Sequence, residues 1–104
     1  MKLFLDDADE MERPTPKGWV RCRWPEEVVA YLKAGNVEAV SLDHDLGEEG
    51  YYARTGYDVL KWIEKEVFLN GFNPPAMFVH SQNSVARTKM LQAIISINKM
   101  VNDS

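Results

Sequence analysis

The sequence predicts an α/β protein built on a parallel sheet, and three observations carry that prediction. Short apolar runs at 2–5, 37–42 and 76–79 have the length of strands, and each ends in polar residues. Segments with apolar residues at helical spacing lie between and after these runs. Strands and helices therefore alternate, which favours parallel pairing through right-handed crossovers.

The elements follow in order. Lys2 to Leu5 is expected to form the first strand, with Asp6 and Asp7 at its carboxyl end. Residues 8–18 show no periodicity and contain Pro14 and Pro16, the mark of an ordered loop. Trp19 to Trp24 alternates, with Val20, Cys22 and Trp24 on one side and Trp19, Arg21 and Arg23 on the other. That is the pattern of a half-buried edge strand, with Cys22 inward and Arg21 and Arg23 toward solvent. Pro25 suits the first turn of a helix, where Glu26 and Glu27 complement the positive end. Val28, Val29 and Leu32 form its inner face and Gly35 ends it.

Val37 to Leu42 is expected to be a buried strand ending in Asp43-His44-Asp45, followed by a polar loop from Gly47 to Arg54. Thr55 and Asp58 have the spacing of a capping box. Val59, Leu60, Ile63 and Val67 supply the stripe of the helix they open, and Gly71 and Pro74-Pro75 stop it. Ala76 to Val79 reads as a third buried strand ending in His80-Ser81. Asn83 or Ser84 caps a last helix whose inner face is Met90, Leu91, Ile94 and Ile97.

The 104 residues suit one domain, 1–104, and 45% apolar with 27% charged residues is ordinary for a soluble protein. No apolar run approaches the roughly 18 residues of a membrane span. The early Asp6-Asp7 is unlike a secretory signal, and the single cysteine allows no internal disulfide. A reducing cytoplasm fits these features. A net charge of −4 argues against a protein that grips duplex DNA through its phosphates, but leaves room for a nucleotide or an RNA end. The edge strand can support a weak homodimer of an otherwise monomeric chain.

In a parallel sheet, ligands sit beyond the carboxyl ends of the strands. Asp6-Asp7, Asp43-His44-Asp45 and His80-Ser81 all fall there, and they include both histidines of the chain. Clustered carboxylates repel, and a hard divalent cation such as Mg2+ relieves that repulsion through oxygen ligands. Asp6, Asp7 and Asp43 are thus candidate metal ligands. His44 and His80 are candidate proton carriers, since imidazole titrates near neutral pH, or ligands of a softer ion such as Mn2+ or Zn2+. Ser81 can bond a phosphoryl oxygen or cap a turn. Arg87, in the first turn of the last helix where the dipole disfavours a cation, is a candidate phosphate ligand. Asn83 and Arg54 are assigned the same class of contact. Tyr51 and Tyr52 can stack on a base or pack on the sheet. Asp45 can order His44 or reach the metal through water.

Leu5-Asp6-Asp7, Asp43 after a later strand, Gly56 thirteen residues on, and Ser81 after the next strand resemble the receiver domain of response regulators. The resemblance is closer to its cyclic-phosphate-processing branch. It is carried by Leu5-Asp6-Asp7, Gly18-Trp19, Ser41-Leu42-Asp43-His44-Asp45-Leu46-Gly47, Thr55-Gly56-Tyr57-Asp58 and Val79-His80-Ser81-Gln82-Asn83. The resemblance implies a small three-layer, flavodoxin-like parallel sheet of about four strands, truncated after the fourth strand and its helix. It also implies a metal-dependent phosphodiesterase acting on RNA 2′,3′-cyclic phosphate ends or cyclic nucleotides, in RNA repair or phage–host conflict. His44 and His80 would be its catalytic groups. A loop stands where an ordinary receiver has its first helix, and no fifth strand with a lysine follows the last helix of this sequence. Lys89 and Lys99 do not fall at a strand end, which leaves Arg87 as the nearest substitute. Two other functions stay open: a phosphoacceptor receiver using Asp43, and a binder that holds a nucleotide signal without cleaving it.

Overall fold

The structure, a computed structural model, describes residues 1–43, 55–81 and 83–103. Four strands, β1 (Lys2–Leu5), β2 (Trp19–Cys22), β3 (Ala39–Leu42) and β4 (Ala76–Val79), form one parallel sheet in the order β2-β1-β3-β4. Three helices, α1 (Pro25–Ala34), α2 (Gly56–Asn70) and α3 (Ser84–Asp103), complete a receiver-like α/β fold.

Each helix begins as local chemistry requires. Pro25 opens α1, and the Glu27 carboxylate accepts hydrogen bonds from the N–H groups of Arg23 and Trp24. The capping box of α2 is present: Thr55 Oγ1 accepts from the Tyr57 N–H at 3.1 Å, and Asp58 Oδ2 accepts from the Thr55 N–H at 2.8 Å. Gly71, at φ 65°, closes α2 in the left-handed conformation, and its N–H bonds the Val67 carbonyl. Asn83, rather than Ser84, opens α3, with its Oδ1 accepting from the Ala86 N–H at 3.1 Å.

Alternate strand residues separate the two faces of the sheet. Leu3, Leu5, Val40 and Leu42 join Val28, Leu32, Val59, Leu60, Ile63, Met90, Ile94 and Ile97 in one core that draws on all three helices. The helices therefore share one face, as right-handed crossovers running β2 to β3 to β4 require. The opposite face carries Phe4, Ser41 and Phe78, and there the third layer of the receiver-like sandwich is reduced to the loop between β1 and β2.

The edge positions differ from the sequence expectation. β4 lies at a sheet edge, so its residues alternate between exposed and half-buried, and Phe78 is 52% exposed. At the other edge Val20 and Trp24 are exposed, although their alternation pointed inward. The strand ends at Cys22, so the inner side of β2 is reduced to that one buried residue. On α3, Leu91 is exposed and Ala86 is buried, because the helix turns a narrower stripe to the core than its apolar content suggests. Among the described residues, no helix is long and apolar enough to cross a membrane.

Candidate functional site

The site is assembled by one repeated hydrogen bond. Leu5 pairs with Leu42, and Leu42 with Val79, so the next residue on each strand is Asp6, Asp43 or His80. Each extends the ladder by one step: the Asp6 N–H donates to the Cys22 carbonyl, Asp43 to Leu5 and His80 to Leu42, at 3.0, 3.1 and 3.0 Å. Three adjacent strands thus present three chemical groups at the same level of the sheet. One ligand atom from each lies within 4.8 Å of the others.

Gly56 fixes this edge from the helical side. Its N–H donates to the Asp43 carbonyl at 2.9 Å, and a Cβ placed there would lie 2.4 Å from that oxygen and 2.9 Å from Leu42 Cβ. Only glycine lets the start of α2 approach the end of β3 so closely.

Asp6 and Asp43 are buried, and a cation bridges them. Arg13 Nη1 donates to Asp6 Oδ2 at 3.0 Å and to Asp43 Oδ2 at 3.1 Å. Burial disfavours the guanidinium charge, but the two carboxylates outweigh it and raise the Arg13 pKa. Arg21 Nη2 lies 3.8 Å from Asp6 Oδ1, and the Ala8 N–H donates to the same oxygen at 2.8 Å. Asp7 is half-exposed and outside the clustered group; burial, then the charge of Asp6, raise its carboxyl above the usual range.

His80 has a partner on each side of its ring. Nδ1 lies 2.7 Å from Ser41 Oγ and Nε2 3.2 Å from Asp6 Oδ2, and the ring stacks on Phe4 at 4.3 Å. An ionised carboxylate only accepts, so Nε2 carries a proton when it faces Asp6, and Nδ1 then accepts from the Ser41 hydroxyl. In the other tautomer, Nδ1 donates to Ser41 and Nε2 offers its lone pair to the site. Burial lowers the His80 pKa below that of an ordinary histidine, and the opposing attraction of Asp6 does not restore it.

The remaining candidates divide. Ser81 is buried and its Oγ accepts from the Asn83 N–H at 3.2 Å, so it does cap a turn while its hydroxyl proton stays available. Asn83 uses its Oδ1 in the cap of α3, and Arg87 is exposed on that helix's first turn. His44, Asp45, Arg54, Tyr51 and Tyr52 lie outside the described residues.

Arg21 does not face solvent as expected. Its side chain is 15% exposed and donates to the carbonyls of Arg13 and Ala8, to Thr15 Oγ1 and to Glu10. The alternation placed Arg21 on the correct side, but the expectation of solvent failed because the loop folds over this face and covers it. Arg13 and Ser41 were not singled out from the sequence. A loop that leaves at Asp6 and returns to the adjacent strand must cross the open face, and Arg13 and Lys17 are its only cations. A serine inside an apolar strand was the corresponding sign for Ser41.

The donor set suits a cation: two buried carboxylates and an imidazole whose outer nitrogen meets a hydroxyl, with a guanidinium already occupying the bridge. No curated protein and no solved structure gives a significant match to this chain. The family model for the cyclic-phosphate processing receiver domain matches residues 1–96, which include all four strands and the three clustered groups, and the chain belongs to that family.

Proposed function

We propose that this protein is a metal-dependent phosphodiesterase that opens cyclic phosphates, either RNA 2′,3′-cyclic ends or cyclic nucleotides. The observation that carries the proposal is the placement of the His80 imidazole 3.2 Å from a buried carboxylate that is itself paired across the strands with Asp43 through a shared cation. Membership of a cyclic-phosphate processing family supports the choice of cyclic phosphates as substrates.

Opening a cyclic phosphate forms one P–O bond to water and breaks one P–O bond to the ribose. Water loses a proton and the departing oxygen gains one. His80 carries one of these transfers at Nε2, in the tautomer whose Nδ1–H is held by Ser41. His44, on sequence grounds, carries the other. Asp6 and Asp43 would hold Mg2+ or Mn2+, with Asp7 as the further carboxylate; burial, then the charge of Asp6, raise the Asp7 pKa, and a bound cation would offset the second of these. Such an ion, when bound, supplies positive charge that polarises the phosphoryl oxygens. Ser81, Asn83, Arg87 and Arg54 are proposed to steady the phosphate, and Asp45 to order His44. We place the protein in a reducing cytoplasm, as a monomer or weak homodimer without membrane or duplex-DNA partners.

Incubation with 2′,3′- and 3′,5′-cyclic phosphates across Mg2+ and Mn2+, read by mass, tests the reading. It expects a linear monophosphate one water heavier than its substrate, and intact substrate throughout would refute it. Receiver membership favours a second reading, with Asp43 as a phosphoacceptor. That reading expects Asp43 to be labelled by a small phosphodonor.

A further inference from the structure

Arg13 occupies a position that the proposed reaction leaves without a role. One of its nitrogens lies between Asp6 Oδ2 and Asp43 Oδ2, at 3.0 and 3.1 Å, as a cation shared by two carboxylates does. A divalent ion taking the same oxygens at its ordinary distance of about 2.1 Å would meet that guanidinium at close range and repel it. Arg13 and the ion therefore compete.

Among the described residues, three positively charged or chargeable groups stand beside Asp6, and they differ in how firmly they are held. His80 is fixed at the end of β4 by its backbone ladder bond and by Ser41. Arg21 is 15% exposed and tied into the loop through Ala8, Glu10, Arg13 and Thr15. The Arg13 side chain is 35% exposed and reaches the carboxylates from the solvent side. It is the group that can withdraw without breaking the sheet.

The backbone at Arg13 is anchored meanwhile. Its N–H donates to the Asp9 carbonyl at 2.9 Å, and its carbonyl accepts from Arg21 Nη1 at 2.8 Å. Glu10 further ties the loop by accepting from the N–H and hydroxyl of Thr15. A displaced guanidinium is thus kept beside the site, where its planar set of donors matches phosphate oxygens.

We infer that Arg13 is an exchangeable cation: it neutralises Asp6 and Asp43 when no divalent ion is bound, yields to that ion, and then grips the substrate's phosphate. The inference rests on the proposed function for the identity of the anion. It predicts two effects of opposite sign. Arg13→Gln should bind Mn2+ about tenfold more tightly than wild type, and then bind adenosine 3′-monophosphate in the presence of Mn2+ about tenfold more weakly, both read by titration calorimetry. Arg13→Lys, which keeps the charge but loses the fork, should show both effects in smaller measure, and serves if Arg13→Gln does not fold.

Unchanged or weaker Mn2+ binding overturns the inference, as does a loss of both affinities, which a merely structural arginine would give. No Mn2+ binding by any of the proteins also overturns it. A rise in Mn2+ affinity with unchanged nucleotide affinity overturns the phosphate contact. Opposed effects in a protein that leaves every cyclic phosphate intact would uphold the exchange and remove the proposed reaction.

Discussion

Alternate residues of the same strands enter two different neighbourhoods. Leu3, Leu5, Val40 and Leu42 meet the three helices and disappear into an apolar core. Phe4 and Ser41, one residue away, are also covered, but by the His80 ring and the groups it engages. On the helical face, burial comes from non-directional contact, so almost any well-fitting apolar side chain serves. On the loop face it comes from hydrogen bonds and ion pairs, in which each group needs a particular partner. The contrast teaches that the first face holds the sheet together and the second spends its order on a site.

Substitutions should separate the two faces. Leu42→Ala removes a fully buried side chain and should cost about 4 kcal/mol, measured by urea unfolding. Gly56→Ala should cost about 3 kcal/mol, because its Cβ would meet backbone 2.4 Å away. It should also displace Asp43 and weaken metal binding, which joins the two faces at one point.

Asp6→Asn leaves Arg13, Arg21 and His80 without their shared carboxylate. With Arg13 partly exposed and Glu10 still beside Arg21, the expected loss is about 2 kcal/mol, by the same measurement. A loss as large as that of Leu42→Ala would erase the distinction between the faces.

The helical face was legible in the sequence for a physical reason. Its signal is periodicity, and a stripe such as Val59, Leu60, Ile63 marks burial within a few residues of chain. The strand-end chemistry was legible because parallel topology puts successive strand ends together, which placed Asp6, Asp43 and His80 on one edge. The network between them was not legible. Its bonds join residues 30, 39 and 74 positions apart, and nothing local specifies them. Arg21 shows the cost: its alternation was correct, yet the face it points to is covered by a loop whose path no local pattern reveals.

Cys22 gives the smallest expected effect. Burial raises its thiol to about 11, so thiolate is scarce in the native protein near neutral pH. A thiol reagent at mildly alkaline pH should react only after urea unfolding. Because the folded value is raised, this group's stabilisation is complete below the unfolded pKa and is lost as pH rises from 9.0 through about 11. Rapid reaction of the folded protein would place Cys22 outside the helical core.

Whether the loop face hydrolyses cyclic phosphates, as proposed, is decided by the hydrolysis rate of a nucleoside 2′,3′-cyclic phosphate with Mn2+, for wild type and His80→Ala. Wild type should turn over, and His80→Ala should be at least ~100-fold slower, with its unfolding free energy reduced by no more than about 2 kcal/mol. No hydrolysis by wild type, or an undiminished rate in His80→Ala, would contradict the proposal.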